Sequence, residues 1–505
     1  MCASDPSPAT MSSAGMWVST SLQPSQILAG AALVTHVMLG RLSAWYENDE
    51  ELRNLVTELH LMLVDHLLRE LATSTSVALN GQPWPLETFR SALLNIVLAF
   101  ETGRLELISK ARLLHGILVT LFRDNGLFSA EAIECQQDTH YPGTFTPWVH
   151  FGFQRWVRIV TAAFKVDVHL ALLTGHPPLI QREELDLPLV STYALWNAYG
   201  LDLFPTRFRT QPDERAGYHM CDLLTFGRNS QVQPRGDSIV LLKDVEVGLL
   251  GVVHNTWQHA RWSRKWVDAS ASACDAEHQK PLHQLLGFWK ERLNNVRGAE
   301  GALLEEYVRA YAGEEEEDKA EDRHAILDRL RAYVLHAVLL YHFVTVHSYA
   351  DVETLRQVLM ADAAAEECPR GRDREAQMRQ WANSPDGRRA VLHALYILKA
   401  YRDDAQLAAL RNLEVDPIAH LALTAAALVT WMWMMAGAQA CTYAQNIAGL
   451  DLGQYAPESP QIADWVQSSG VAWATTIKTD WCGLAEPSNK RSVNGQKSNQ
   501  SRTTT

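Results

Sequence analysis

Cysteine is scarce and scattered in this chain. Seven occur in 505 residues, at Cys2, Cys135, Cys221, Cys274, Cys368, Cys441 and Cys482, and the closest two are 41 residues apart. No CxxC pair exists, and no Cys/His set has zinc-ligand spacing. The odd count and wide spread point to free thiols in a reducing compartment. A basic stretch leading into a long apolar core is absent near the start, which argues against a secretory signal. Strand-like alternation goes no further than Ile239–Leu242, and no fixed-period repeat is present. The G-x-x-x-x-G-K-[ST] loop that cradles phosphates, a helix-opening G-x-G-x-x-G and a G-x-S-x-G nucleophile elbow are all missing.

What is there is apolar, aromatic and acidic. The hydrophobic fraction is 47 %, enough for a large core, and the formal charge is -13. The segment Pro487–Thr505 carries Lys490, Arg491, Lys497 and Arg502 and no acid, so the remainder bears -17. A body that acidic repels phosphate backbones and is a poor candidate for wrapping DNA. Residues 1–25 are rich in Ser, Pro and Ala and read as disordered, as does the basic tail 483–505. Between them, residues 26–482 read as one all-α, multi-helix domain.

Apolar spacing predicts helices over Glu50–Leu71, Leu86–Phe100, Leu105–Phe122, Phe151–Leu173, Leu241–Trp262, His278–Val296 and Ala325–Val346. In the first, Leu52, Leu55, Val56, Leu59, Met62, Leu63, Leu67 and Leu71 form the buried stripe. Gly126 and Gly175 suit left-handed helix ends, and Pro177 blocks continuation. Ser384-Pro385-Asp386 supplies an N-cap, a proline at N1 and a first-turn acid for a further helix. Thr206–Gly236 reads as a loop, Glu314–Asp318 as a solvated acidic connection, and Asp362–Arg374 as a charged loop. Pro417–Leu450 has no charged residue. Leu421–Ala440 is long enough to span a bilayer, but its alanines and Thr424, Thr430 and Gln439 favour a buried core helix.

Candidate chemistry is thin. His278 and His283 are five apart, where two ligands on one helical face need three or four, and they read as surface or capping residues. His336, His342 and His347 point in different directions from one helix. Asp403-Asp404 begins like the DDxxD motif of terpene-synthase-like chains but lacks the final acid. Glu183-Glu184 reads as a solvated turn. Asp167 lies beside the apolar face of its helix, half-buried, and needs a partner from another element, because Arg158 lies on the far side. Catalytic, cofactor and metal residues are all expected to be absent.

One stretch is distinctive. It runs through Trp148, Phe153, Gln154, Trp156, Arg158, Phe164 and Asp167, breaks at Gly175-His176-Pro177-Pro178, and resumes with Asp186-Leu187-Pro188 and Trp196. It resembles the signature of the regulatory domain, or middle homology region, of fungal-specific transcription factors. Later segments resemble that family in the same order. They are Leu241–Leu249 with Asp244, Glu246 and Gly248, then Trp257, Tyr341-His342, His347–Leu355, and finally Trp381, Ser384, Arg388, Ala390 and His393. The likeness spans roughly residues 50–480. Two departures stand out: Gln154 where an acid is usual, and Val157-Arg158 in place of an arginine pair.

The resemblance implies an all-α regulatory domain in the nucleus, acting on transcription by RNA polymerase II. It implies contacts with the transcription machinery or co-regulators, dimerisation, and small-molecule sensing in the helical core. Zinc is usual in the family's separate DNA-binding module, but its ligands are absent here, since Cys2 is the only cysteine before Cys135. DNA is therefore expected to be reached indirectly or through another module. Trp148, Trp156 and Trp196 are expected as core packing, and Arg158, Asp167 and His393 as structural polar anchors. The competing classes are an all-α enzyme with an unrecognised site and a membrane-anchored helical protein.

Overall fold

A computed structural model describes residues 50–76, 82–198, 202–212, 215, 217–225, 240–263, 272–313, 320–363, 378–408, 417–437 and 460–467. The expectations for 1–25, 314–318 and 483–505 lie outside them, as does Ile239. The described residues are helical with no sheet, and only two isolated bridges pair extended residues, Ser129 with Asp186 and Pro188 with His219. The all-α expectation is met.

The first group of helices is α1 (Glu50–Ser76), α2 (Leu86–Thr102), α3 (Leu105–Asp124), α4 (Ala130–His140) and α5 (Thr146–Thr174). Short helices α6 (Tyr193–Trp196), α7 (Leu203–Arg209) and α8 (Met220–Thr225) follow. A second group comprises α9 (Leu242–Ser263), α10 (Ser272–Arg297), α11 (Gly301–Tyr311), α12 (Ala320–Tyr349), α13 (Val352–Ala363), α14 (Pro385–Ala408), α15 (Pro417–Gly437) and α16 (Pro460–Gln467). The most extensive helix contact is α12 on α14, followed by α14 on α15. The groups meet where α5 crosses α9 and α15 touches α2, and one continuous apolar core runs through both.

Helix α5 is the axis of the fold. Pro147 opens it, and Gly175 closes it at φ 67°, donating its N–H to the Ala171 carbonyl. It packs on α2, α3, α4 and α9. From Trp156 to Ala171 every side chain except Arg158 is buried, not only those of one apolar face. A helix enclosed on all sides buries its polar residues too, here Thr161, Lys165, Asp167 and His169. Asp167 is therefore fully buried at 2 % exposure, deeper than its sequence position suggests.

Two sequence expectations are corrected, and one helix was not anticipated. Helix α1 buries Leu67 and Leu71 as expected but turns Leu59 and Met62 outward, with Thr57, His60 and Val64 buried in their place. Leucines occur on more than one side of this helix, so periodicity alone leaves its rotation open. His60 settles it by bonding the Asn95 carbonyl of α2 at 3.1 Å. The segment read as a loop from Thr206 contains part of α7 and all of α8. Helix α4, with three buried residues in eleven, has too weak a stripe to be read from sequence.

Helix α15 is long and apolar enough over Ile418–Met435 to cross a membrane, by length and composition, and half of that span is buried. It packs on α12, α13 and α14 through Ala419, Ala422, Ala425, Ala426 and Val429, and Trp433 donates from Nε1 to the Ala382 carbonyl at 2.9 Å. The small residues let three neighbours approach closely, as in a core helix.

Candidate ligand-binding cleft and the signature anchors

The distinctive stretch folds back on itself. After Gly175 the chain returns along α5, and polar side chains of that helix hold it at three levels. The Asp167 carboxylate accepts from the Leu179 and Ile180 amides at 3.0 and 2.8 Å, and from His115 Nε2 of α3 at 2.9 Å. Gln154 Oε1 accepts from the Ser191 amide at 2.9 Å. Arg158 donates to the Ser191 carbonyl at 3.1 Å and lies 4.3 Å over the Trp196 ring. Buried backbone needs partners, and where the returning chain has no helix or bridge of its own it finds them here on side chains.

The other signature residues are mainly packing or capping groups. Trp156 meets Trp84 edge-on at 5.1 Å, and Phe164 stacks on His254 at 5.6 Å. Pro178 is buried, Pro188 is half-buried beside His219, and Trp196 is buried. Trp148 departs from expectation: it is 46 % exposed, because it lies in the first turn of α5 before the enclosed part begins. Trp381 donates from Nε1 to the Tyr349 carbonyl at 3.0 Å. Ser384 Oγ accepts from the Gly387 amide at 3.1 Å, the predicted N-cap. Arg388 donates to the Val466 carbonyl at 2.9 Å and the Asn383 carbonyl at 3.2 Å, tying α14 to α16.

The second family-like segment joins this scaffold. Asp244 takes two bonds from Arg215, at 2.9 and 2.7 Å, while Arg215 also donates to the Val190 carbonyl at 2.9 Å. Glu246 pairs with buried Lys165 at 2.5 Å and with Lys243 at 2.6 Å. A cavity of about 20 Å³ beside them has room for about one water. Glu183-Glu184, expected to be solvated, is a short 3-10 turn. Glu183 pairs with Arg182, and Glu184 both caps Gln181 and pairs with Arg123.

The open cleft lies elsewhere, between α10, α12 and α14, and measures about 600 Å³. Helix α10 supplies His283, Leu286, Gly287, Lys290, Glu291, Asn294 and Asn295 at spacings that share one face. Helix α12 supplies Tyr341, Thr345 and Tyr349 at intervals of four, and α14 supplies His393. A side chain at Gly287 would meet nothing within 4 Å, so this glycine keeps the cleft wide.

His393 lines the inner wall, and His342 lies behind it. His342 Nδ1 and His393 Nδ1 are 2.9 Å apart, so one ring donates and the other accepts. Burial, with Lys290 and Arg389 nearby, pushes His393 down to about 3. Burial, reinforced by His393, holds His342 well below the usual range. Both are neutral at physiological pH. His342 stacks on Tyr396 at 5.4 Å, and His393 on Tyr349 at 6.2 Å. His283 tilts over Tyr349 at 5.2 Å, and its buried Nε2 has no hydrogen-bond partner. The expectation that His283 is a surface or capping residue is therefore corrected. The pairing of His342 with His393, 51 residues apart, had no signal in local spacing.

Chemically the cleft offers stacking faces, neutral imidazoles, two carboxamides and one ammonium. Among its described lining residues there is one carboxylate and no Ser or Cys. Thr345 already donates its hydroxyl to the Tyr341 carbonyl at 2.7 Å. The set suits binding of a polar, ring-containing molecule better than nucleophilic or paired-carboxylate chemistry. Metal-capable donors converge at a different place, where Asp186, His219 and Cys221 come together. Side chains of Asp403 and Asp404 lie outside the described residues. No family model, curated protein or solved structure matches this chain.

Proposed function

We propose that the chain is a regulatory domain of the fungal-specific transcription factor type. It acts in the nucleus on RNA polymerase II transcription through contacts with the transcription machinery or co-regulators, and as a homodimer. The observation that carries this reading is the closed signature stretch. The residues by which the sequence resembles that family, Arg158, Asp167, Trp196 and the substituted Gln154, hold one return segment against one helix. They act as a scaffold. The cleft between α10, α12 and α14 is then the place where a small molecule biases the domain's contacts. DNA is reached through another module or partner, in keeping with a formal charge of -13.

The test is a fusion of the full chain to a heterologous DNA-binding module in a fungal reporter strain. Severalfold activation or repression over the DNA-binding module alone is expected. A stable, nuclear fusion that leaves the reporter unchanged overturns the proposal. Gly287→Phe fills the cleft and should alter the reporter's response to growth conditions while the purified variant keeps its helicity.

A further inference from the structure

We propose that Asp186, His219 and Cys221 form a zinc site that staples the return segment after α5 to the start of α8. One donor atom from each residue lies within 4.8 Å of the other two. Their backbones are fixed independently of any ion. Pro188 and His219 form an antiparallel bridge, the Met220 amide donates to the Leu187 carbonyl at 2.7 Å, and the Cys221 amide donates to the Leu185 carbonyl at 3.1 Å. Met220 is buried at 1 % exposure between its two ligating neighbours, which anchors the segment to the core. Asp222 accepts from the His219 amide at 2.8 Å and fixes the turn.

The donor set selects the ion. One carboxylate oxygen, one imidazole nitrogen and one thiolate sulfur do not suit magnesium or calcium, which take oxygen. They suit zinc, which mixes all three in tetrahedral sites and keeps a fourth position for water. Bonds of about 2.0–2.3 Å set neighbouring ligand atoms on the order of 3.3–3.8 Å apart, so closing this site needs movements of about 1 Å. His219 Nδ1 and Asp186 Oδ1 now share a hydrogen bond at 2.5 Å. A cation taking the place of that proton would widen the pair and draw in the half-buried Cys221 sulfur. Burial, with Asp222 and Asp186 nearby, keeps this thiol protonated, so zinc binding releases its proton and the displaced imidazole proton to solvent. The side chains of His219 and Asp186 are 41 % and 65 % exposed, which leaves an entry path. A plain surface ion pair would use only the histidine and aspartate; the third donor, of a different chemical kind, points to a metal.

The experiment is a cobalt titration of the purified, chelator-stripped full chain, followed by zinc competition. A cobalt–thiolate charge-transfer band saturating at one ion per chain is expected, and zinc should displace it. Cys221→Ser should abolish the band. Asp186→Asn and His219→Ala should each weaken zinc binding by at least about tenfold, with far-ultraviolet circular dichroism unchanged. Zinc should also slow amide exchange across residues 219–225. No band, a band that survives Cys221→Ser, or zinc affinity unchanged in the other two variants overturns the site. These readouts are independent of the reporter assay, so either proposal can fail alone.

Discussion

Removing the Asp167 carboxylate should cost the protein more than most single substitutions. In Asp167→Ala, His115 Nε2 and the amides of Leu179 and Ile180 all lose their acceptor in a buried place. Counting donors at about 1–3 kcal/mol each gives roughly 3–9 kcal/mol. Even the lower end of that range, about 3–5 kcal/mol, is a large part of the roughly 5–15 kcal/mol that holds a typical domain together. Asp167→Asn keeps one acceptor oxygen toward the return segment and should lose only about 1–3 kcal/mol. Urea unfolding followed by tryptophan fluorescence measures the global term. Hydrogen exchange at Leu179 and Ile180 measures the local one, and both amides should lose protection in the alanine variant. If Asp167→Ala unfolds within about 0.5 kcal/mol of the parent and those amides stay protected, the anchor role is refuted.

Gly248→Ala should disrupt the crossing of α9 and α10, because the added carbon would lie 1.9 Å from Trp289 ring carbon Cζ2; a loss of roughly 1–3 kcal/mol with shifted tryptophan emission is expected, and unchanged emission and stability would contradict the packing. Arg388→Ala should release α16 by removing the bond to the Val466 carbonyl, read as faster proteolysis within residues 460–467. Acid should destabilise the fold. His150, His254 and His347 are lowered to about 4 and His393 to about 3, in each case chiefly by burial. Their folded values lie below the unfolded value of about 6.5, so their contribution is present above about pH 6.5. Below it, the unfolded chain binds protons that the native chain refuses, and stability is lost toward pH 4. Each such histidine takes up to about 1.4 kcal/mol per pH unit, and a urea midpoint that does not fall between pH 7 and 5 would refute this.

The long, strongly periodic helices were legible in the sequence, and so were their ends where glycine or a serine cap terminates them. Gly175, Gly126 and Ser384 each do what their local chemistry requires. Rotation and enclosure were not legible. Leu59 and Met62 fit an apolar stripe yet face outward, because the neighbours of α1 select the His60 side of the helix. Trp148 is apolar by composition but precedes the enclosed part of α5. The cleft was hidden for a different reason: His283, Tyr349 and His393 come from three helices, and no local spacing connects residues brought together only by packing. Asp186 and His219 are separated by 33 residues in the same way.

Gln154 shows what its position does in this fold. Where the family-like pattern has an acid, this chain has an amide, which removes a charge and would weaken any ion pair with an arginine on the same helix. The structure shows Gln154 at 6 % exposure, using one oxygen to accept the Ser191 amide. Arg158 reaches the carbonyl of that same residue, so Ser191 is held at both of its peptide groups from two positions on α5. A carboxylate at 154 would accept the same amide, and the amide form does so without burying a charge that this short contact cannot fully compensate. The position thus requires an acceptor at a set distance from the returning backbone, and a net charge is dispensable. That is the behaviour of a scaffold residue, and it agrees with a stretch whose role is to hold the chain in place.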